Sequence, residues 1–136
     1  MNEELIRRWN EVVTPDDIVY HLGDFSFGGF KKRDSVKKRL NGTIIIIRGN
    51  HDPGKHTLLK HGFIVSESPR VEIEDMVLSH KPIPNKELNG KVNVHGHIHT
   101  IIPKDRKHIN ACVEQTNYYP KPAEYYIKKV QELMDE

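Results

Sequence analysis

The chain has 136 residues, 36% of them hydrophobic, which is enough to build one globular domain with a real core over residues 1–136. With 21 basic and 19 acidic residues, the formal net charge of +2 gives no electrostatic argument for a nucleic-acid or anionic-membrane partner. Because Cys112 is the single cysteine and the sequence contains neither a membrane-length apolar run nor a signal peptide, we expect a cytoplasmic protein with no intrachain disulfide and no membrane partner.

The first third of the chain predicts two helices that alternate with two strands. Apolar residues at helical spacing predict an amphipathic helix over 1–13, which Thr14-Pro15 ends. A short buried strand is predicted at 18–22, followed by a helix over 31–40. The second strand is the run of four isoleucines at 44–47, which is typical of a strand buried on both faces. Because a helix joins the two strands, we expect them to be parallel.

The rest of the chain predicts shorter elements and a final helix. In chain order these are a helix over 56–62, a strand over 63–65, a hairpin of 71–73 and 76–78, strands over 92–94 and 108–113, and a helix over 123–134. The last helix should turn one apolar face inward, made of Tyr126, Ile127, Val130 and either Leu133 or Met134. Strands and helices together predict an α/β domain.

Four of the predicted strand ends carry carboxylate, amide or imidazole side chains. They are Asp24, Asn50-His51-Asp52, His80 and His97-x-His99. Sites form at the carboxyl ends of strands in α/β sheets, because loops from neighbouring strands converge there over a rigid base. This set of side chains suits divalent transition metals, and two such ions can clamp a phosphoryl group and activate a water. The pattern therefore indicates phosphoester hydrolysis.

In their order and spacing, these motifs resemble those of the calcineurin-like metallophosphoesterase family. The resemblance rests on Gly23-Asp24, Gly49-Asn50-His51-Asp52, Ser79-His80 and Gly96-His97-Ile98-His99, and it spans most of the chain. It implies an α/β fold of two mixed β-sheets packed together with flanking helices, an αββα sandwich. It also implies a metal-dependent hydrolase of phosphomonoesters or phosphodiesters that uses divalent Mn, Fe, Zn, Ni or Co ions.

The same resemblance implies the metal ligands. Asp24 would bridge two ions, and Asn50, His80 and His97 would complete the coordination of one of them. His99 would serve the other ion. Taken singly, each motif has a structural alternative, because Gly-Asp occurs in turns and a loop histidine is usually not a ligand. Their joint occurrence in family order favours the metal site.

The resemblance also implies a catalytic pair that acts on a phosphoester substrate. His51 would be the acid that protonates the leaving oxygen or steadies the phosphate, and Asp52 would hold the His51 ring.

Two other features have structural interpretations. His95 matches no family position and is expected to be a partly buried structural residue. The basic stretch over 31–39 is expected to be the solvated face of a helix, so nucleic acid is not indicated.

One part of the family pattern has no counterpart in the sequence. The family opens with a strand that ends in Asp-x-His, whose side chains bind the same metal as His99, and this segment is missing. We therefore expect an N-terminally shortened domain with an exposed sheet edge at 18–22 that favours a homodimer. We also expect the second ion to bind weakly or not at all, since only Asp24 and His99 would hold it. The alternative function is a weak or inactive metal-binding or partner-binding remnant of the same fold.

Overall fold

The computed structural model describes residues 2–23, 30–49, 52–96, 107–111 and 120–135. In chain order these ranges contain α1 (Asn2–Val12), β1 (Ile18–His21), α2 (Phe30–Arg39), β2 (Thr43–Ile46), α3 (Lys55–Lys60), β3 (Ile64–Val65), β4 (Arg70–Ile73), β5 (Met76–Ser79), β6 (Val92–His95), β7 (His108–Asn110) and α4 (Ala123–Met134). Each predicted helix and strand is present with bounds that differ by at most a few residues. Residues 112 and 113 of the last predicted strand lie outside the described ranges.

The described strands form two sheets. The first has the order β1-β2-β3 and all of its strands are parallel, which confirms the prediction for β1 and β2. The second has the order β4-β5-β6-β7, in which β4 and β5 are antiparallel and the other neighbours are parallel. With helices packed on these sheets, the prediction of an α/β fold of two sheets with flanking helices is confirmed. Both sheets were predicted to be mixed, and within the described strands only the second one is.

The first core lies between the parallel sheet and helices α1, α2 and α3. Its buried side chains are Ile6, Trp9, Val13, Val36, Leu40, Ile44, Ile46, Leu58, Phe63 and Val65. Several hydrogen bonds tie α1 to the end of α2. Trp9 Nε1 donates to the backbone oxygen of Asn41 at 2.9 Å, and Asn10 Nδ2 donates to that of Arg39 at 2.8 Å. The apolar face predicted for α1 is therefore held against α2 and β2.

The second core lies between the mixed sheet and α4. Its buried side chains are Ile47, Met76, Leu78, Val92, Val94 and Val130. Leu133 packs against this core whereas Met134 is exposed, which settles the inward residue of the last turn of α4. Ile47 belongs to this core while Ile46 belongs to the first, so the two cores adjoin at the end of β2.

None of the helices within the described ranges has the length and apolarity needed to cross a membrane.

The prediction that β1 is a buried strand was wrong. Ile18 is 67% exposed and Tyr20 is 38% exposed, since both side chains alternate away from the face that packs in the first core. β1 is also the outer strand of the sheet in the described residues. In the described part of the chain β1 pairs with β2 alone. An apolar run shows that a strand forms but not how many neighbours it has. An edge of this kind is open to further strand pairing, and a homodimer through it stays a prediction.

Candidate active site

The structure describes two of the seven predicted site residues. Asp52 and His80 line one cavity with a volume of about 700 Å³, at the ends of β2 and β5. The other five lie outside the described residues, and they are Asp24, Asn50, His51, His97 and His99. Gly23, Gly49 and Gly96, which directly precede Asp24, Asn50 and His97, are described and mark the strand ends that carry the motifs.

The described ends of the four motif segments meet around His80. The His80 Nδ1 atom lies 2.7 Å from the backbone oxygen of Leu22, just after β1. The backbone NH of Gly96, just after β6, donates to the backbone oxygen of His80 at 2.9 Å. A Cβ atom at Gly23 would lie 2.6 Å from His80 Nδ1 and 2.7 Å from the backbone nitrogen of Gly49. Two strand ends from each sheet therefore come together at one point.

Gly23 is required by this close approach. Its φ angle is +102°, in the left-handed region that residues with a side chain rarely adopt. A Cβ atom there would also lie 2.8 Å from the backbone oxygen of Ile47, so backbone as well as side-chain atoms leave no room for it. The glycine before Asp24 therefore lets the end of β1 pass directly over the end of β2.

The hydrogen bond to Leu22 determines which nitrogen of the His80 ring carries the hydrogen. A backbone carbonyl can only accept, so Nδ1 must carry the hydrogen and donate it to Leu22. In the neutral ring the lone pair then lies on Nε2, which is the state a metal ligand requires. Metal-binding histidines almost always donate their other ring NH to a carbonyl, a carboxylate or a water. The buried His80 ring therefore fits the role predicted for it.

Asp52 closes the turn that follows β2. Its Oδ2 atom accepts a hydrogen bond from the backbone NH of Gly49 at 2.7 Å, and its own NH donates to the Gly49 oxygen at 3.3 Å. These two hydrogen bonds hold Gly49 and Asp52, the first and last residues of the Gly-Asn-His-Asp motif, in a fixed position relative to each other. The predicted contact of Asp52 with His51 involves a residue outside the described ranges and stays a prediction.

Asn93 is a structural determinant of the site that the sequence analysis missed. It lies on β6 with no exposed surface, and its Nδ2 atom donates to Val77 O at 2.9 Å and to Ser79 Oγ at 3.0 Å. Its Oδ1 atom accepts from the backbone NH of Ile83 at 2.8 Å. The Ser79 hydroxyl in turn donates to Lys81 O at 2.6 Å. One buried amide thus holds both ends of the segment that presents His80. An asparagine flanked by two valines in a predicted strand was the available signal.

Replacement of Asn93 by leucine should destabilise the protein by about 2–4 kcal/mol. The Ile83 NH and the Val77 oxygen would each lose a buried partner, and buried polar groups without partners are costly. Urea denaturation followed by circular dichroism measures this change. As a control, the exposed Asn85 changed to leucine should alter stability by less than about 0.5 kcal/mol. A loss below about 1 kcal/mol for Asn93→Leu would show that the network is not a significant constraint.

His95 is fully buried, whereas the sequence analysis expected partial burial. The reason is the position of β6, which lies between β5 and β7 and is covered along its whole length. The His95 Nδ1 atom lies 3.0 Å from the backbone oxygen of Gly96, and its ring lies edge-on to that of His108 at 5.8 Å. These contacts agree with the structural role that was predicted for His95.

The metal site itself stays a prediction. In the ranges that the structure describes, no three His, Cys, Asp or Glu side chains form a group that could hold a metal ion. Four of the five predicted ligands lie outside these ranges. The described ligand, His80, fits by its tautomer and by the strand ends that surround it.

Comparison with known proteins gives relatives of uncharacterized function. No family model matches the sequence. The crystal structure of AQ665 from Aquifex aeolicus, a protein of unknown function, matches with a TM-score of 0.68 at 26% sequence identity, over 93% of this chain and 83% of that chain. The uncharacterized protein MJ1445 of Methanocaldococcus jannaschii is 39% identical over 145 residues, which cover 96% of this chain and 76% of that protein. At this identity and coverage, the chain belongs to the same family as MJ1445.

Proposed function

We propose that the protein is a metal-dependent phosphoesterase of the calcineurin-like metallophosphoesterase type, which hydrolyses phosphomonoesters or phosphodiesters. The observation that carries this proposal is the meeting of four motif-bearing strand ends around His80. Strand ends that meet at one point of an α/β fold, beside a cavity of about 700 Å³, give the support that an active site requires. Packing alone gives no reason for such motifs to follow four separate strands.

The donor set fits divalent metal ions. Asp24, Asn50, His80 and His97 would hold one ion, and His99 with the shared Asp24 would hold a second one more weakly. Such ions, when bound, supply positive charge to the phosphoryl oxygens and make a water more acidic. The support from the structure is the tautomer of His80, whose Nδ1 donates to a backbone carbonyl and so leaves the lone pair on Nε2.

The proposed reaction needs one proton donor from the protein. A water attacks the phosphorus atom, and the bond from phosphorus to the leaving oxygen breaks. His51 would give its proton to that oxygen, and the attacking water would release one proton to solvent. A monoester and water thus become phosphate and an alcohol, and a diester and water become a monoester and an alcohol. Asp52 would hold the imidazole of His51. The hydrogen bond from Gly49 to one Asp52 oxygen supports this, because it keeps the carboxylate within the same turn.

Replacement of His51 by alanine should lower hydrolysis of a phosphoester with a poor leaving group by about 100- to 10,000-fold. The bound metal should stay nearly unchanged, because the imidazole would contact substrate and not the ions. Release of phenol from diphenyl phosphate with added Mn²⁺ or Ni²⁺ measures the rate, and elemental analysis measures the metal.

His56→Ala provides the matched control, since His56 is an exposed histidine on α3 that matches no motif position. Its rate should stay within about twofold of the unaltered protein. An unchanged rate for His51→Ala would remove His51 from the acid role. Absence of hydrolysis by the unaltered protein, with any of the candidate metals bound, would instead favour the alternative of an inactive metal-binding domain. The open edge of β1 is the feature that would suit such a domain to partner binding.

A further inference from the structure

Three cationic side chains line the same cavity as Asp52 and His80: Arg48, Arg70 and Lys81. We propose that Arg48 and Lys81 form a subsite for a second anionic group of the substrate, which makes the substrate class an organic phosphoester that carries another phosphate. This inference rests on the proposed function, because it assumes that the reacting phosphate lies at the His80 end of the cavity.

The two cations are placed by the motifs themselves. Arg48 directly precedes Gly49 at the end of β2, and Lys81 directly follows His80 at the end of β5. The first sheet therefore contributes one cation to the cavity and the second sheet contributes the other. Each cation is one residue away from a segment that meets at His80, so a ligand in this cavity would lie beside the proposed reaction centre.

Arg48 and Lys81 are available to a ligand. Both are exposed, and within the described residues neither side chain takes part in an ion pair or a hydrogen bond. A cation that no carboxylate partner neutralises keeps its full attraction for an anion. Two cations without such a partner on one cavity give that cavity a positive potential, which attracts phosphate groups.

The carboxylate of Glu67 on the cavity wall is already engaged elsewhere. Glu67 accepts a hydrogen bond from Lys55 at 2.7 Å, which holds the pKa of Glu67 below its usual value and keeps it ionised. Arg70 is paired with Glu87 at 2.6 Å and lies opposite Ser79 in the pairing of β4 with β5. Because these charges are compensated by neighbours, the lining keeps the two positive charges of Arg48 and Lys81 against the single carboxylate of Asp52, which leaves the cavity positive overall.

The size of the cavity supports a substrate with two separated anionic groups. Its volume of about 700 Å³ is within the range of sites for small organic molecules and exceeds the need of one phosphate group. The guanidinium of Arg48 can bind two oxygens of a phosphate at once, while the ammonium of Lys81 adds a point charge. The organic part of the substrate would span the cavity between the two phosphates.

The test compares two ligands that cannot be hydrolysed, because their phosphorus is bonded to carbon. Propane-1,3-diphosphonate carries two anionic groups and propylphosphonate carries one. In isothermal titration of the protein with its bound metal, we expect about tenfold tighter binding of the diphosphonate. In the double variant Arg48→Gln with Lys81→Gln, this preference should fall to about twofold or less. The matched control is Lys60→Gln with Lys86→Gln, which removes two exposed charges outside the cavity and should keep the preference.

The outcomes separate the subsite from the proposed function. An equal affinity of the unaltered protein for both phosphonates, or a preference that survives in the Arg48 and Lys81 double variant, would overturn the subsite. Phosphate release from propane-1,3-diyl bisphosphate and from propyl phosphate is measured on the same proteins. If neither is hydrolysed with any metal, the proposed function fails, while the phosphonate preference still decides whether the second anion is bound.

Discussion

Replacement of His80 by alanine should remove the more firmly bound metal and lower phosphoesterase activity by about 1,000-fold or more. His80 is one of four side chains proposed to hold that ion, and its ring is buried and oriented by the hydrogen bond to Leu22. Alanine would supply neither the ligand nor the contact with the end of β1. Elemental analysis after dialysis measures the metal, and hydrolysis of an aryl phosphate measures the activity.

A buried histidine of the first core serves as the control. His61 is 3% exposed and His80 is 6% exposed. The Nδ1 atom of His61 lies 3.2 Å from Asp34 Oδ1, and its ring lies edge-on to that of Phe63 in the first core. His61→Ala should lower thermal stability but keep the metal content and the turnover of the folded protein. Equal loss of metal in both variants would mean that His80 acts through general stability, and full retention of metal by His80→Ala would exclude it as a ligand.

The local elements could be predicted from the sequence because their patterns are strong. The isoleucine run indicated β2, and the bounds of α4 agree with the predicted helix at both ends. The parallel pairing of β1 with β2 followed from the helix that joins them. The apolar residues of β1 alone predicted burial, because the number of neighbours of a strand depends on the whole sheet and not on its own residues. The open sheet edge at this strand was expected only from the opening strand that the family pattern has and this sequence lacks.

The candidate site could be predicted only in part. Motif residues at strand ends and the rule for parallel strands predicted that Asp24 and Asn50 lie on one rim, and the glycines that precede them, Gly23 and Gly49, do lie together. That the ends of β5 and β6, from the other sheet, would meet the same rim came from the family resemblance, since no local pattern specifies how two sheets pack. The bonds of Asn93 and the position of Arg48 beside Lys81 depend on that packing, which explains why the sequence did not reveal them.

Gly23 is the position where a single methyl group should have the largest effect on both fold and site. Gly23→Ala should destabilise the protein by about 3–4 kcal/mol, the sum of a left-handed backbone carrying a side chain and of an overpacked contact. The added Cβ would lie within 3 Å of His80 Nδ1, Gly49 N and Ile47 O, two of which are backbone atoms that cannot rotate away. The strand ends around His80 should therefore separate, and metal binding and hydrolysis should be lost together with stability.

Gly90→Ala serves as the control that separates the steric crowding at Gly23 from the strain of a left-handed backbone, which both positions share. Gly90 has a φ angle of +85°, but a Cβ atom there would meet nothing within 4 Å. Its replacement should cost only the strain of the left-handed backbone, about 1–2 kcal/mol, and should leave metal binding intact. Urea denaturation of both variants, with metal analysis of the folded fraction, gives the comparison. If Gly23→Ala is no more damaging than Gly90→Ala, the ends of β1 and β2 are not in the close contact that brings the motif segments together.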